Sequence, residues 1–468
     1  MIGRDDEIAL LREQGAADRS RLVVVYGRRR IGKTFLVREA FNYRFTFTYT
    51  GVERATLSEQ LSQFHQALVE QGLQDCPIPC NWIDAFGLLK KLLAASKDER
   101  KIVFIDELPW MDTPKSRFLP AFENFWNGWC SARKDILLIV CGSATSWMVK
   151  RVLRNRGGVF NRANRTICLQ PFTLRQCEEY TREAGLSMGR RELAEAYMAF
   201  GGVPYYWSLL DRRYSLAQNI DRLCFTATGD LIPEFRRLYE SVFVSPEPYL
   251  KIVTELGMKK IGMTREELSA ATGVANCGRL TDILSDLEQS GFVRSYAPFG
   301  KRKKGTVFQL VDNFSLFYFR FMRGKPVSRP DYWLSSVDSV ERHSWEGLAF
   351  ELVCLWHERQ LKEALRIGGV QTNTASWRSE KKSGGAQIDL LLERKDGIVN
   401  LCEMKFSSGA FAISEKYERE LRNKIQLFKD ETGTRKSVHL TLVSAEGLRR
   451  NGHAGIVQSV VTLNDLFL

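Results

Sequence analysis

The sequence predicts an α/β fold, and two observations support this prediction. Three apolar runs, at residues 21–26, 101–105 and 136–141, have the length and composition of buried strands. A turn rich in glycine and arginine follows the first run, and residues 35–41 then show the apolar spacing of a helix. This order of strand, glycine turn and helix indicates an α/β core near the N-terminus.

The length of the chain predicts more than one domain. It has 468 residues, whereas single cores usually stop growing near about 250–300 residues. The apolar fraction of 44% and the charged fraction of 26% are typical of a globular protein. A net charge of +13 favours an anionic partner such as nucleic acid, although a basic protein without such a partner is the alternative.

Composition also bears on location. The N-terminal residues are charged and lack an apolar signal segment, and no run of about 18 apolar residues suggests a membrane span. The ten cysteines are scattered, and the closest pair, Cys76 and Cys80, has no second pair at zinc spacing. We therefore expect reduced cysteines, a cytoplasmic protein and no membrane partner.

The glycine turn carries the first chemical motif. Residues 27–34 read GRRRIGKT and match G-x-x-x-x-G-K-[ST], the loop that cradles phosphate between a strand and a helix. We expect Lys33 to reach the β- and γ-phosphates of ATP and Thr34 to bind Mg²⁺. The predicted cofactor-binding residues are Gly27, Arg28, Arg29, Arg30, Ile31, Gly32, Lys33, Thr34 and Phe35.

Polar residues at the ends of the other two runs complete this site. The second run ends in Asp106 and Glu107, which we expect to hold Mg²⁺ and to polarise the attacking water, respectively. The third run leads to Ser143, which is placed to sense the γ-phosphate or to orient water. An ordinary strand end with two acids and a plain loop serine is the alternative.

Residues 1–240 resemble the archaeal-type branch of the AAA+-like and STAND P-loop ATPases. The matching segments are IGRDDEIALL, GRRRIGKT, FIDELPWM, CGSATSWM, GGVFNRANRTICLQPFT and FGGVPYYW. The resemblance implies that Ile2, Gly3 and Arg4 pack near the adenine and that residues 200–207 begin a helical lid. It also maps the family's charge-stabilising arginine onto Arg162, although Asn161 stands where the family usually has glycine; Arg165 and Arg156 are rivals for this role, and a solvated basic loop is the alternative.

Residues 247–311 predict helices followed by a β-hairpin and resemble a winged helix-turn-helix. Such a domain can read the DNA major groove through its second helix, here with Asn276, Arg279 and Thr281 on the candidate face. The predicted wing contains Lys301, Arg302, Lys303 and Lys304, which could neutralise phosphates. The alternative is a packing module that does not touch DNA.

Residues 387–406 predict a hairpin with a turn at Asp396 and Gly397. A loop centred on Asp396 places Asp389 opposite Glu403, and Lys405 shares the face of Glu403. Two carboxylates and one ammonium on one side of a sheet form a candidate site for metal-assisted hydrolysis, with Asp389 and Glu403 as metal ligands. Ordinary charges on an exposed strand face are the alternative.

This pattern resembles the PD-(D/E)xK nuclease superfamily, and more closely the C-terminal domain that accompanies archaeal-type ATPases. The resemblance covers residues 335–468 and implies catalytic roles for Glu351, Asp389, Glu403 and Lys405. An inactive form of the same fold is the alternative.

The full prediction has four parts. They are a P-loop NTPase core at 1–190, a helical lid at 191–245, a winged helix at 246–330, and a restriction-endonuclease-like α/β domain at 331–468. The predicted function is an ATPase that binds DNA and self-associates through its core, with Mg²⁺-dependent deoxyribonuclease activity in the last domain. The rivals are a STAND-like signalling switch and a DNA organiser, in both of which the C-terminal domain binds without cutting.

Overall fold

The structure is a computed structural model that describes most of the chain. The described residues are 1–153, 162–243, 245–259, 262–297, 299–300, 305–326, 328–379 and 385–468. They divide into two units, of which the first comprises Met1–Pro171 with Ser241–Val244 and the second comprises Phe172–Glu240 with Ser245–Leu468.

The first unit is built on a parallel sheet with the strand order β2-β3-β4-β1-β5. Its strands are β1 (Arg21–Tyr26), β2 (Phe47–Thr50), β3 (Lys101–Asp106), β4 (Ile136–Gly142) and β5 (Arg165–Cys168). The three apolar runs of the sequence are β1, β3 and β4, which occupy the interior of the sheet. The strands β2 and β5 were not predicted from the sequence, because these edge strands have only four residues each and mix polar with apolar side chains.

Helices cover both faces of this sheet. They are α1 (Asp5–Gly15), α2 (Lys33–Ala40), α3 (Leu57–Glu70), α4 (Trp82–Ala95), α5 (Phe118–Gly128) and α6 (Thr145–Trp147). Val23 and Val25 pack in one core cluster with residues of α1 and α2, while Leu22 and Val24 pack in another with residues of α3, α4 and α5. The two-residue period of the strand therefore buries both of its faces.

The second unit contains two sheets. A three-stranded sheet, in the order β6-β8-β7, is antiparallel, and a five-stranded sheet has the order β13-β12-β11-β10-β9. In the larger sheet β9, β10 and β11 are antiparallel, whereas β11, β12 and β13 run parallel. The strands are β6 (Met263–Thr264), β7 (Val293–Tyr296), β8 (Val307–Leu310), β9 (Thr372–Arg378), β10 (Gln387–Arg394), β11 (Ile398–Lys405), β12 (Ser437–Ser444) and β13 (Ser459–Thr462).

Many helices surround these sheets in the second unit. They are α7 (Leu174–Glu183), α8 (Arg190–Phe200), α9 (Pro204–Ser208), α10 (Leu216–Cys224), α11 (Glu234–Glu240), α12 (Glu247–Met258), α13 (Arg265–Thr272), α14 (Gly278–Gln289), α15 (Asn313–Phe317), α16 (Tyr332–Ser335), α17 (Val340–Trp356), α18 (Glu358–Ala364) and α19 (Glu415–Thr432). Between residues 247 and 311 the order is α12, β6, α13, α14, β7 and β8. The capping box at Thr264 and Glu267 is present, and Gly273 ends α13 in the left-handed conformation.

His357 separates the helices α17 and α18. The helix α17 begins at Val340, and the backbone leaves the helical conformation at His357, where α18 starts. The fully buried imidazole donates from Nδ1 to the carbonyl of Val353 at 2.7 Å. Its Nε2 accepts from the backbone N–H of Leu174 at 2.9 Å and so caps the first turn of α7. This second hydrogen bond requires a neutral ring.

We expect this cap to be lost in acid. Burial lowers the pKa of His357 to about 4, against about 6.5 for an exposed histidine. The neutral ring therefore stabilises the fold fully above about pH 6.5, and this stability is lost as the pH falls towards 4, by about 3 kcal/mol in all. Urea unfolding at pH 7 and pH 4 measures the loss, and His357→Gln is the control that cannot titrate. Equal losses in both proteins would contradict the assignment.

Candidate functional site

The glycine loop adopts a backbone that only glycine permits at its first position. Gly27 has φ +142°, and a Cβ there would lie 2.5 Å from the carbonyl oxygen of Leu169. Gly32 is left-handed at φ +87° and forms the N-cap of α2, so the loop leads directly into the helix that starts at Lys33. An anion at this helix N-terminus would meet backbone N–H groups.

Lys33 is buried beneath this loop. Its ammonium donates to the carbonyls of Gly27 at 3.1 Å and Arg28 at 2.8 Å. These contacts hold the charge within the loop where a phosphate chain would lie. Ile31 is buried among core residues of the first unit, and Phe35 is 49% exposed. The two side chains thus differ from Lys33 in having no polar group to offer a nucleotide.

The remaining loop arginines differ in exposure. Arg28 is buried, whereas Arg29 and Arg30 are half-buried. Arg4, which the resemblance places near the adenine, is buried and donates to the carbonyl of Gln170 at 2.6 Å. This contact ties the start of α1 to the segment after β5.

A hydroxyl and a carboxylate from separate elements meet beside Lys33. Thr34 Oγ1 donates to Asp106 Oδ2 at 2.6 Å, and the other oxygen of Asp106 accepts from the backbone N–H of Glu107 at 2.9 Å. Hard oxygen donors of this kind suit Mg²⁺. Thr34 and Asp106 therefore fit the metal that a nucleotide would bring.

Glu107 and Ser143 contact each other at the ends of neighbouring strands. Glu107 has φ +46°, which turns the chain sharply after β3. Its Oε2 accepts from Ser143 Oγ at 2.8 Å and from the Ser143 backbone N–H at 3.2 Å. The serine follows β4, which pairs with β3, so sheet pairing brings the two residues together. Ser143 can thus orient the Glu107 carboxylate.

The candidate arginines lie at the amino end of β5, whereas the glycine loop follows the carboxyl end of the parallel strand β1. Arg162 is exposed and stands just before β5. Arg165 is also exposed, with Nη2 4.0 Å from Glu13 Oε2. Arg156 and Asn161 lie outside the described residues. The position of Arg162 allows it to meet a neighbouring molecule.

In the second unit, the hairpin register agrees with the register inferred from the turn. Leu390 pairs with Cys402 in the antiparallel ladder, and the same register continued by one residue sets Asp389 opposite Glu403. The pairing between β10 and β9 shifts by one residue between Ile388 and Leu391, which is a bulge at Asp389.

Glu403 is held by cations and a hydroxyl. Lys424 donates to it at 2.7 Å and Tyr417 at 2.6 Å, and Lys405 Nζ lies 3.1 Å from Oε1. Burial raises the pKa of Glu403, but Lys424 and Lys405 outweigh burial, and the pKa lies below its usual range. Both carboxylate oxygens are therefore engaged with positive or neutral donors.

Tyr417 and Lys424 were not predicted from the sequence. They are seven residues apart on α19 and so share one helix face. That spacing was visible in the sequence, but the strand that this face covers was not.

The surroundings of Asp389 and Glu351 differ from those of Glu403. Gln387 donates to Asp389 Oδ1 at 2.5 Å. Both acids border a cavity of about 320 Å³ whose walls are largely apolar. Across the described part of the chain, no three His, Cys, Asp or Glu side chains are grouped to hold a metal ion. The assignment of Asp389 and Glu403 as metal ligands therefore stays a prediction.

The candidate DNA-reading residues are all exposed. Arg265 donates to the side chains of Asn276 and Thr281, which fixes both of them beside Arg279 at the start of α14. The wing residues Lys301, Arg302, Lys303 and Lys304 lie outside the described residues. Within the described ranges, no helix is long and apolar enough to cross a membrane, and the ten cysteines are free thiols.

Comparison with known proteins bears on the first unit most directly. Residues 1–210 match a family model described as an ATPase domain predominantly from Archaea. The uncharacterized protein MJECL04 of Methanocaldococcus jannaschii is 26% identical over 442 residues, which cover 91% of this chain and 92% of that protein.

Solved structures align over about two thirds of the chain. The Walker-type ATPase PABY2304 of Pyrococcus abyssi aligns with a TM-score of 0.49 and 17% identity over 68% of this chain and 96% of that one. The ORC2 protein of Aeropyrum pernix, in its ADPNP–ADP complexes, aligns with a TM-score of 0.41 and 15% identity over 68% and 93%. The family match therefore assigns to residues 1–210 a similarity to ATPase domains of the predominantly archaeal type.

Proposed function

We propose that this chain binds ATP with Mg²⁺ and hydrolyses it. The observation that carries the proposal is the convergence of Lys33, Thr34, Asp106 and Glu107 from the glycine loop and the end of β3. Lys33 and the loop amides bind the phosphates, and Thr34 with Asp106 holds the metal, which neutralises charge on the phosphates. Glu107, oriented by Ser143, accepts a proton from the attacking water.

ATP binding is expected to depend on Lys33. Lys33→Ala removes an ammonium that donates to charged phosphate oxygens, and hydrogen bonds of this kind contribute about 1.5–3 kcal/mol. We therefore expect ATP affinity to fall by about 10- to 150-fold in calorimetry. Arg38→Ala removes the same charge from an exposed position of α2 and is the matched control. Equal ATP affinity in the wild type and Lys33→Ala would overturn the proposal.

We further propose that residues 247–311 form a winged helix that binds duplex DNA. The support is the order of helices and strands in this segment, the exposure of Asn276, Arg279 and Thr281, and the net charge of +13. Arg265 limits the rotation of two of these side chains, which lowers the entropy cost of contacting bases.

Deoxyribonuclease activity is a second candidate function. The bulge at Asp389 and the Glu403–Lys405 ion pair favour it, because bulges often lie beside active sites and a lysine there can stabilise developing charge. The engagement of Glu403 by Lys424 and Tyr417 favours instead the hypothesis that this domain binds without cutting, as in a signalling switch or a DNA organiser.

One plasmid experiment separates these hypotheses. Supercoiled plasmid is incubated with the protein and Mn²⁺, and gel retardation reports binding while nicking reports cleavage. If the wing binds, replacing Lys301, Arg302, Lys303 and Lys304 by Ala should flatten the log–log salt slope by about 0.9 per lost phosphate contact. If the domain cuts, Asp389→Ala and Lys405→Ala should abolish nicking while retardation persists. Retardation without nicking in the wild type would support the binding hypothesis.

We also propose that the chain self-associates, with Arg162 acting on the nucleotide of an adjacent copy. The support is the exposure of Arg162 before the amino end of β5, away from the glycine loop that follows the carboxyl end of β1, so that a nucleotide within its reach would belong to another copy. An arginine that comes from an adjacent copy of the chain stabilises the negative charge that develops during phosphoryl transfer.

A further inference from the structure

The first unit also has a cavity, which lies beside the Glu107–Ser143 contact. Its volume is about 270 Å³, and its walls are two segments of chain. The first arm is residues 109–112, which follow Glu107, and the second arm is residues 144–151, which follow Ser143. Ser241 and Val242 complete the lining. None of these residues belongs to the ATP site described above.

The lining combines aromatic faces with cations. Trp110 and Trp147 are half-buried, and Lys150 and Arg151 are exposed. Asp112 also lines the cavity, and its Oδ2 accepts from Trp147 Nε1 at 3.2 Å. Burial raises the pKa of Asp112, while Trp147 and Arg151 act in the opposite direction. This carboxyl is therefore a hydrogen-bonding group at the border of the cavity.

We propose that this cavity binds a nucleotide unit, namely an unpaired base together with its phosphate. Aromatic side chains stack on bases of any sequence, and basic side chains beside them neutralise the phosphate. In this site Trp110 and Trp147 face the base, Asp112 accepts from its amino or imino groups, and Lys150 with Arg151 meets the phosphate. An acidic peptide fits less well, because its carboxylates would lie against Asp112.

Hydrogen bonds connect this cavity to Glu107. The two arms are linked by the Glu107–Ser143 hydrogen bonds at one end and by the Trp147–Asp112 hydrogen bond at the other. The first arm is anchored, because the buried Gln60 donates to the Trp110 carbonyl at 2.9 Å. A base that displaces Trp147 from Asp112 would therefore move the second arm and, with it, Ser143. This coupling rests on the proposed ATP hydrolysis, whereas binding to the cavity does not.

The binding test uses a fluorescein-labelled single-stranded oligothymidylate and fluorescence anisotropy. All measurements are made in the Lys33→Ala background, so that the glycine loop does not compete for the probe. Trp147→Leu should weaken binding by about 5- to 150-fold, the fold-change that corresponds to loss of one stacked base. Trp147→Phe should retain most of the affinity, because the ring remains. Lys150→Ala with Arg151→Ala should lower the log–log salt slope by about 1.4.

The control is a pair of exposed lysines that lies elsewhere in the same unit. Lys91→Ala with Lys97→Ala removes two positive charges away from the cavity and should leave both affinity and slope unchanged. Competition by unlabelled thymidine monophosphate distinguishes the source of the ligand. Displacement only by oligonucleotide supports single-stranded nucleic acid, and displacement by the mononucleotide at similar concentration supports a free nucleotide.

Two results would overturn the proposal. One is unchanged oligonucleotide affinity in both Trp147→Leu and the Lys150→Ala, Arg151→Ala variant. The other is displacement of the probe by a polyglutamate peptide but by neither nucleic acid nor mononucleotide. ATP turnover of the wild type without oligonucleotide is measured separately. Its absence would contradict the proposed ATPase function and leave the binding result standing.

Discussion

Glu107→Gln is expected to lower ATP turnover by about 10²–10⁴-fold while ATP affinity stays close to that of the wild type. The amide has the shape of the carboxylate, and its oxygen can still accept from Ser143, but it cannot take a proton from water. The lysine, threonine and aspartate that bind the nucleotide are unchanged. Phosphate release at saturating ATP gives the turnover number, and calorimetry gives the affinity.

The matched control for this substitution is Glu70→Gln, which makes the same chemical change at an exposed position of α3. Ser143→Ala should retain ATP binding and lose less turnover than Glu107→Gln, since it removes one hydrogen bond from the carboxylate and leaves the base itself. Wild-type turnover in Glu107→Gln would show that another group activates the water.

Arg162→Ala is expected to lower turnover by about 10³–10⁵-fold, the effect of an arginine finger in phosphoryl transfer. The side chain is exposed beside β5, so its removal should leave the fold intact. Because the proposal has the arginine act on the adjacent copy, the affinity of one isolated chain for ATP should change little. Turnover as a function of protein concentration measures the dependence on association.

A mixing experiment tests whether the site is shared. Arg162→Ala supplies an intact glycine loop, and Lys33→Ala supplies an intact arginine, so the mixture should recover activity that neither variant has alone. Arg165→Ala is the control, and a comparable loss there would transfer the role to Arg165. Unchanged turnover in Arg162→Ala, in a protein that sediments as a monomer, would contradict the proposal.

The nucleotide site could be predicted from sequence because its determinants are local. Residues 27–34 are contiguous, and Asp106 with Glu107 ends an apolar run that can only be a buried strand. Residues that follow parallel strands of one sheet meet at the same edge. These residues were therefore predicted to form one nucleotide site. The backbone itself requires glycine in this loop. At Gly27, for example, a Cβ would lie 2.5 Å from the carbonyl oxygen of Leu169.

The C-terminal hairpin separates what local pattern determines from what packing determines. The turn at Asp396 and Gly397 predicted the register of β10 and β11, because loop length sets which residues face each other across a hairpin. Burial along β10 does not alternate, since Leu390, Leu391 and Leu392 are all buried. A strand covered on both faces loses its two-residue pattern.

The sequence by itself determined which strands form the centre of the first sheet and which residues are proposed to carry phosphate chemistry, because both depend on neighbours in the chain. Only the tertiary structure decided which side chains meet: Ser143 on Glu107, Lys424 and Tyr417 on Glu403, and the imidazole of His357 on the start of α7. These partners come from separate elements, and the packing of whole helices and strands brings them within hydrogen-bond distance. The sequence shows which residues carry a charge, whereas the fold determines which groups lie close enough to pair with them.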